Sequence, residues 1–194
     1  MRCIAREWPR KKETHGREST RHMNPKLDTL FARRSIRTYR EGAVDDNTVR
    51  DLLEAAMAAP SAAAKDPWEF IVVRDRQMLG RLASGLPNGT MLSTAAVGLV
   101  VCGNLHRAHD KQLSYLLQDC SAAIENVLLA ASMLGLGACW LGVHPREDRV
   151  AHIRSLLGIP EPVIPVSAIA IGWPGELKDS RTRYREEMVH RERW

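Results

Sequence analysis

From Leu27 onward the chain alternates between two apolar periods, one helical and one of strands. Leu27, Leu30 and Phe31 fall one helical turn apart and predict a short amphipathic helix over Leu27–Arg34. Val49, Leu52, Leu53, Ala56 and Met57 form one stripe. A second helix is therefore expected to start after Asp45 or Asp46, whose carboxylates accept from free first-turn amides, and to be stopped by Pro60. Trp68–Arg74 is rich in β-branched and aromatic residues and predicts a strand; Gln77–Leu82 predicts a helix and Ala95–Cys102 a buried strand. Leu113–Leu134 is the longest helical pattern and carries Ala and Leu on nearly every side, which predicts a helix buried all round. One subunit of this size offers too little surface to cover such a helix, so the pattern points to a dimer. A strand at Ala138–Val143, a helix Glu147–Leu157 ended by Gly158, and a last core strand Val163–Ile171 complete the order. Pro160, Pro162 and Pro165 predict late or edge pairing for that last strand. Residues 175–194 read as polar and irregular. Helices and strands alternate imperfectly, so the class is α+β rather than a doubly wound sheet.

Length and composition fit one domain with a real core. The chain has 194 residues, 44% of them hydrophobic. The formal charge of +5 invites a nucleic-acid reading, but much of the excess sits in residues 1–22 and in the tail Arg181–Arg193. Solvated ends explain it better, and no specific nucleic acid is expected as a partner. Residues 1–22 differ in composition from the rest and read as a disordered N-terminal extension; residues 23–194 read as a single domain. The four cysteines, Cys3, Cys102, Cys120 and Cys139, have no zinc-like spacing and read as reduced, mostly buried thiols of a cytoplasmic protein. No apolar run approaches the roughly 20 residues of a membrane span, so no membrane partner is expected.

Three segments could carry chemistry. Arg33-Arg34-Ser35-Ile36-Arg37-Thr38-Tyr39 places three guanidiniums and a hydroxyl in a short span, able to surround an anion through forked charge-assisted bonds. Alone, such a cluster is more often a solvated surface. Ala59-Pro60-Ser61-Ala62 leads through Asp66-Pro67-Trp68 into a strand, a small-residue loop that lets backbone approach a flat ligand. Gln118-Asp119-Cys120-Ser121-Ala122-Ala123 lies in the long helix and runs on to Leu134-Gly135-Leu136-Gly137-Ala138-Cys139-Trp140-Leu141-Gly142. Those glycines imitate a dinucleotide fingerprint, but they join a helix to a strand, the reverse of the order it needs. His106 and His109 suit a surface loop better than a metal site. Cys120 reads as buried and inert, and no His–Asp pair is legible around Ser121. His144 follows the Leu141-Gly142 segment and could border a substrate or simply end the strand. Trp68 and Trp140 read as core anchors, Asp119 as a local hydrogen-bonding residue, and Glu125 and Asn126 as satisfied across a dimer.

The order of these segments says more than any one of them. RRSIRTY, then APS with PWEF, then DCSAA on a long helix, then GLGACWLGVHP, resembles the nitroreductase family from about Leu27 to Trp194, and the tail resembles its short-chain members. The resemblance implies a three-layer sandwich, a central mixed but mainly antiparallel sheet flanked by helices, with the long helix at a homodimer interface. It implies an FMN enzyme that takes hydride from NADH or NADPH and passes electrons to a nitro compound, quinone or similar small flat acceptor by a ping-pong mechanism. By similarity, Arg33 and Ser35 contact the FMN phosphate or ribityl chain with Arg34 nearby, and Arg183 completes the phosphate site. Arg37 lies near the flavin N1–C2 carbonyl edge, where a fixed cation favours the reduced ring. Pro60, Ser61 and Ala62 cover the flavin from the other subunit, and Leu141 and Gly142 lie by its N5 side. No side chain is implied as a catalytic acid, base or nucleophile. Where the family often has Asn and then Gln before Pro-Trp, this chain has Ala64 and Asp66, which leaves a non-catalytic flavin-binding protein, a sensor or carrier, as the alternative.

Overall fold

Strand order decides where the candidate residues can meet. A computed structural model describes residues 24–194; the expected extension over residues 1–22, with Cys3, lies outside the described residues. The helices are α1 (Asp28–Ala32), α2 (Asp46–Met57), α3 (Arg76–Ser84), α4 (Leu113–Met133) and α5 (Glu147–Leu157). The strands are β1 (Tyr39–Arg40), β2 (Trp68–Val73), β3 (Val97–Asn104), β4 (Gly137–Gly142) and β5 (Val163–Pro174). β5 pairs with β3, β4 and β1, β3 pairs with β2, and every one of these pairings is antiparallel. One parallel contact joins the sheet, an isolated bridge between Ser35 and Ala138.

Local sequence sets the ends of the elements. Asp45 Oδ1 accepts from the Thr48 N–H at 2.8 Å and caps α2, which ends at Met57, before Pro60. Asp75 caps α3 in the same way through the Met78 N–H at 2.7 Å. α5 ends on Gly158, whose φ of 65° is the left-handed turn that glycine adopts without a Cβ penalty.

The sheet buries both faces. Val97, Leu99 and Val101 of β3 point toward α2 and α4, meeting Leu52, Ala56, Ile124 and Val127. The alternate residues Val100 and Cys102 point the other way, toward Leu79, Leu82 and Ile153 of α3 and α5. Helices therefore cover each face, and the chain is a three-layer α+β sandwich.

One expectation needs correction. The last strand is central, not late or at an edge: β5 lies between β3 and β4. Its prolines are tolerated because the β3–β5 register shifts between Val101 and Cys102, where Pro165 sits opposite Cys102. The chain's own core does not cover α4 on every side. Its Leu116, Cys120, Ile124, Val127 and Ala131 side is buried, whereas Leu113, Tyr115 and Met133 are exposed.

Candidate functional site

The arginine-rich segment gains its shape from the stretch that follows β5. The Gly175 N–H donates to Thr38 O at 2.8 Å and the Arg181 N–H to Phe31 O at 3.2 Å, so the two stretches run side by side. Glu176 Oε1 accepts from the Arg37 N–H at 2.6 Å and the Thr38 N–H at 3.2 Å, and pairs with Lys178 Nζ at 3.1 Å. Those donors, the Arg37 amide foremost, hold the Glu176 carboxyl below its ordinary range. Lys178 Nζ also donates to Ser35 O at 2.7 Å, and Arg34 donates to Asp179 O. On the sheet side, the Ile36 N–H donates to Ala138 O at 3.0 Å. Tyr39 Oη reaches Ile36 O at 2.8 Å and Ala170 O at 2.9 Å, and burial pushes its pKa up. Gly137 makes the approach possible, since a Cβ there would lie 2.6 Å from Ile36.

Between the two stretches lies a cavity of about 460 Å3 lined by Leu30, Ser35 and six cationic side chains: Arg33, Arg34, Arg37, Lys178, Arg181 and Arg183. Arg33 pairs with Glu125 at 3.3 Å and Lys178 with Glu176. Among the described residues no carboxylate pairs with Arg37, Arg181 or Arg183. Arg34 and Arg183 push the Arg181 guanidinium below its ordinary pKa by like-charge repulsion. A cavity in this state favours a polyanion. Arg33, Arg34, Ser35, Arg37 and Arg183 are thus brought together as expected. Sequence reasoning missed Lys178 and Arg181; they share a short polar run with Arg183 but read as solvated surface.

Arg37 also lines a second cavity of about 530 Å3, with Leu86, Asn88, Thr90, Trp140, Leu141, Gly142 and Arg149 among its walls. The two cavities therefore meet at Arg37. Arg149 Nη1 donates to Gly142 O at 2.8 Å and fixes the end of β4. Trp140 corrects its expectation: it is 37% exposed on this wall and anchors no core, whereas Trp68 is buried. The loop from Leu86 to Met91 carried no chemical signal in the sequence, and only the fold brings it here.

Pro60, Ser61 and Ala62 line neither of these two cavities. Their loop is held from below: buried Asp119 accepts from the Ala62 N–H at 2.9 Å through Oδ1, while its Oδ2 has no partner. The expectation of a local role for Asp119 fails, since its partner is 57 residues away. Ser61 Oγ donates to Asp66 Oδ1 at 2.5 Å and accepts from the Asp66 N–H at 3.0 Å, so Asp66 serves its own loop. Within the chain, Glu125 pairs with Arg33 at 3.3 Å and Asn126 Nδ2 donates to Ala55 O at 3.0 Å.

The remaining candidates are structural. Burial pushes the Cys102 and Cys120 thiols up to about 12, and both are far from reactive thiolates. Cys139 is also raised by burial, an effect partly opposed by Arg37 and Lys178. Ser121 Oγ donates to Leu117 O at 2.6 Å within its own helix. His106 lies in the turn after β3, and His109 Nε2 is 3.5 Å from Asp110. Among the described residues no group of three or more His, Cys, Asp or Glu could hold a metal ion, and no helix is long and apolar enough to cross a membrane.

The chain is similar to known proteins over most of its length. A family model described as "Nitroreductase family" matches residues 30–86 and 81–173. An Archaeoglobus fulgidus protein described as "Putative NADH dehydrogenase/NAD(P)H nitroreductase" is 43% identical over 171 residues, covering 87% of this chain and 98% of that protein. A Bacteroides thetaiotaomicron structure under the same description superposes with a TM-score of 0.83 at 38% identity, covering 89% of this chain and 99% of that one. A Desulfovibrio desulfuricans structure, a "putative nitroreductase in complex with fmn", matches with a TM-score of 0.75 at 33% identity, covering 89% and 99%.

Proposed function

The chain belongs to the nitroreductase family, and we propose that it is an FMN-dependent NAD(P)H oxidoreductase acting on a small flat acceptor. One observation carries the reading: a cavity crowded with cations and a second walled by the end of β4 share Arg37.

The residues present fit FMN. A phosphate answers the unpaired charge of Arg181 and Arg183, and relieves the repulsion that lowers the Arg181 pKa. Arg33, Arg34, Ser35, Lys178, Arg181 and Arg183 would hold the phosphate and ribityl chain. Leu141 and Gly142 would face the ring system, with Arg149 keeping the Gly142 carbonyl in place. When bound, FMN supplies two-electron transfer between a nicotinamide and a nitro compound, quinone or similar acceptor. Arg37 brings a positive charge to the joint of the two cavities, where it would stabilise negative charge developing beside it. Glu176 pins the Arg37 backbone at the start of that side chain. No acid or base is assigned, and donor and acceptor would use the same face in turn, giving parallel lines in double-reciprocal plots.

The working unit would be a homodimer of cytoplasmic location, consistent with the free, buried Cys102, Cys120 and Cys139. Pro60, Ser61 and Ala62 would cover the flavin bound by the other subunit. Met133 at 71% exposed and Leu177 at 83% exposed leave apolar surface for such a partner.

The purified protein should be yellow and bleach when NADH or NADPH is added under nitrogen. The engagement of Asp66 with Ser61 favours one rival, a flavin carrier without turnover. Yellow protein that never bleaches would establish that rival, and colourless protein that refuses added FMN would overturn both readings.

A further inference from the structure

A second basic cavity, of about 700 Å3, lies away from the one described above, between the loop after Ala62 and the turn after β3. Lys65, Arg107 and Lys111 line it with His106, His109 and Asp110. Asp110 is 3.5 Å from His109, and among the described residues no carboxylate pairs with Lys65, Arg107 or Lys111. Arg107 Nη2 donates to Asp66 O at 2.8 Å, which ties the turn to the loop. Both sides carry non-glycine residues at positive φ, Ala63, Ala64 and Asp66 on one and Asp110 and Lys111 on the other. Such backbone is costly and persists where surrounding contacts dictate it.

We propose that Lys65, Arg107 and Lys111 seat the 2′-phosphate of NADPH and make the protein prefer NADPH to NADH. The proposal rests on the reading above, in which the Pro60–Ala62 loop covers FMN bound by the partner subunit. Lys65 follows Ala62 by three residues, and a chain reaches at most about 3.6 Å per residue. On that reading the cations lie close to the edge of the flavin site, within reach of a dinucleotide docked there. A phosphomonoester carries about −1.5 to −2 charges at neutral pH, and it concentrates them on three acceptor oxygens. Two lysine point charges and one guanidinium fork match that density, while NADH offers nothing in its place. Asp110, 3.5 Å from His109, is the one carboxylate on the wall, and three cations outnumber it.

The test uses the full chain loaded with FMN, compared with a Lys65→Gln, Lys111→Gln double variant. Both lysines are exposed, so the fold and the flavin content should survive. In the wild type the KM for NADPH is expected to be at least tenfold below that for NADH. The double variant should raise the KM for NADPH at least tenfold and that for NADH less than twofold. Calorimetry with 2′,5′-ADP and 5′-AMP reads the same site without turnover: the wild type should bind 2′,5′-ADP at least tenfold more tightly, the variant alike, and the wild-type preference should weaken with salt. An enzyme that reduces acceptors but treats both nucleotides alike, or a variant that keeps the preference, overturns the proposal and leaves the oxidoreductase reading intact. Protein that never takes up FMN overturns that reading, and the assignment of this cavity to NADPH with it.

Discussion

Glu176 joins the two stretches that wall the cationic cavity, and one oxygen of it carries three contacts. Its pKa is lowered in the folded chain, so its contribution to stability is complete above the ordinary carboxylate range. That contribution disappears as pH falls through the lowered value. The urea midpoint should therefore drop in that acid window, and Glu176→Gln should flatten the drop; overlapping profiles would remove Glu176 as its cause. Arg37 acts on the ligand side of the same knot. Losing a charge-assisted hydrogen bond costs about 1.5–3 kcal/mol, so Arg37→Ala should weaken FMN retention or slow flavin reduction by about tenfold to a hundredfold. Fluorescence titration and stopped-flow bleaching measure the two, and wild-type values in both would refute the role. Arg33, Ser35 and Arg37 were legible because they crowd a short span. Lys178 and Arg181 were not, because a cation in a polar tail looks the same whether it meets water or a ligand. Asp119 was missed for another reason: its partner lies far off in sequence, and no periodicity reports a contact of that kind.

At the scale of elements, the site depends on how closely the arginine segment lies against β4. Gly137 sets that distance, because any side chain there would displace Ile36. Gly137→Val should leave a folded chain that binds FMN at least tenfold more weakly, with Gly137→Ala intermediate; equal affinity in all three would separate the β4 approach from ligand binding. Most elements could be read from period and caps. α2 begins where Asp45 can cap it, and α5 ends at Gly158. The place of β5 could not be read, because its prolines argue for an edge until the bulge opposite them is known. The exposed side of α4 was also hidden, since Ala and Leu on all faces do not say which face meets the chain's own core and which is left outside.

The whole molecule leaves apolar surface exposed at the end of α4 and in the stretch after β5, at Met133, Leu134 and Leu177. If a second copy covers it, Met133→Glu should shift sedimentation from dimer toward monomer and release FMN in parallel. A monomer that keeps its flavin would break the link between assembly and binding. The cationic cavity has walls from residues 33–37 and 178–183, segments near opposite ends of the described chain with the entire sheet between them. A ligand phosphate bridging those walls would work as a buckle, fastening the last residues to the first helix. Digestion from the C-terminus should then proceed quickly in apoprotein and stall near Arg183 once FMN is supplied, so protease resistance would report occupancy without any measurement of colour or turnover.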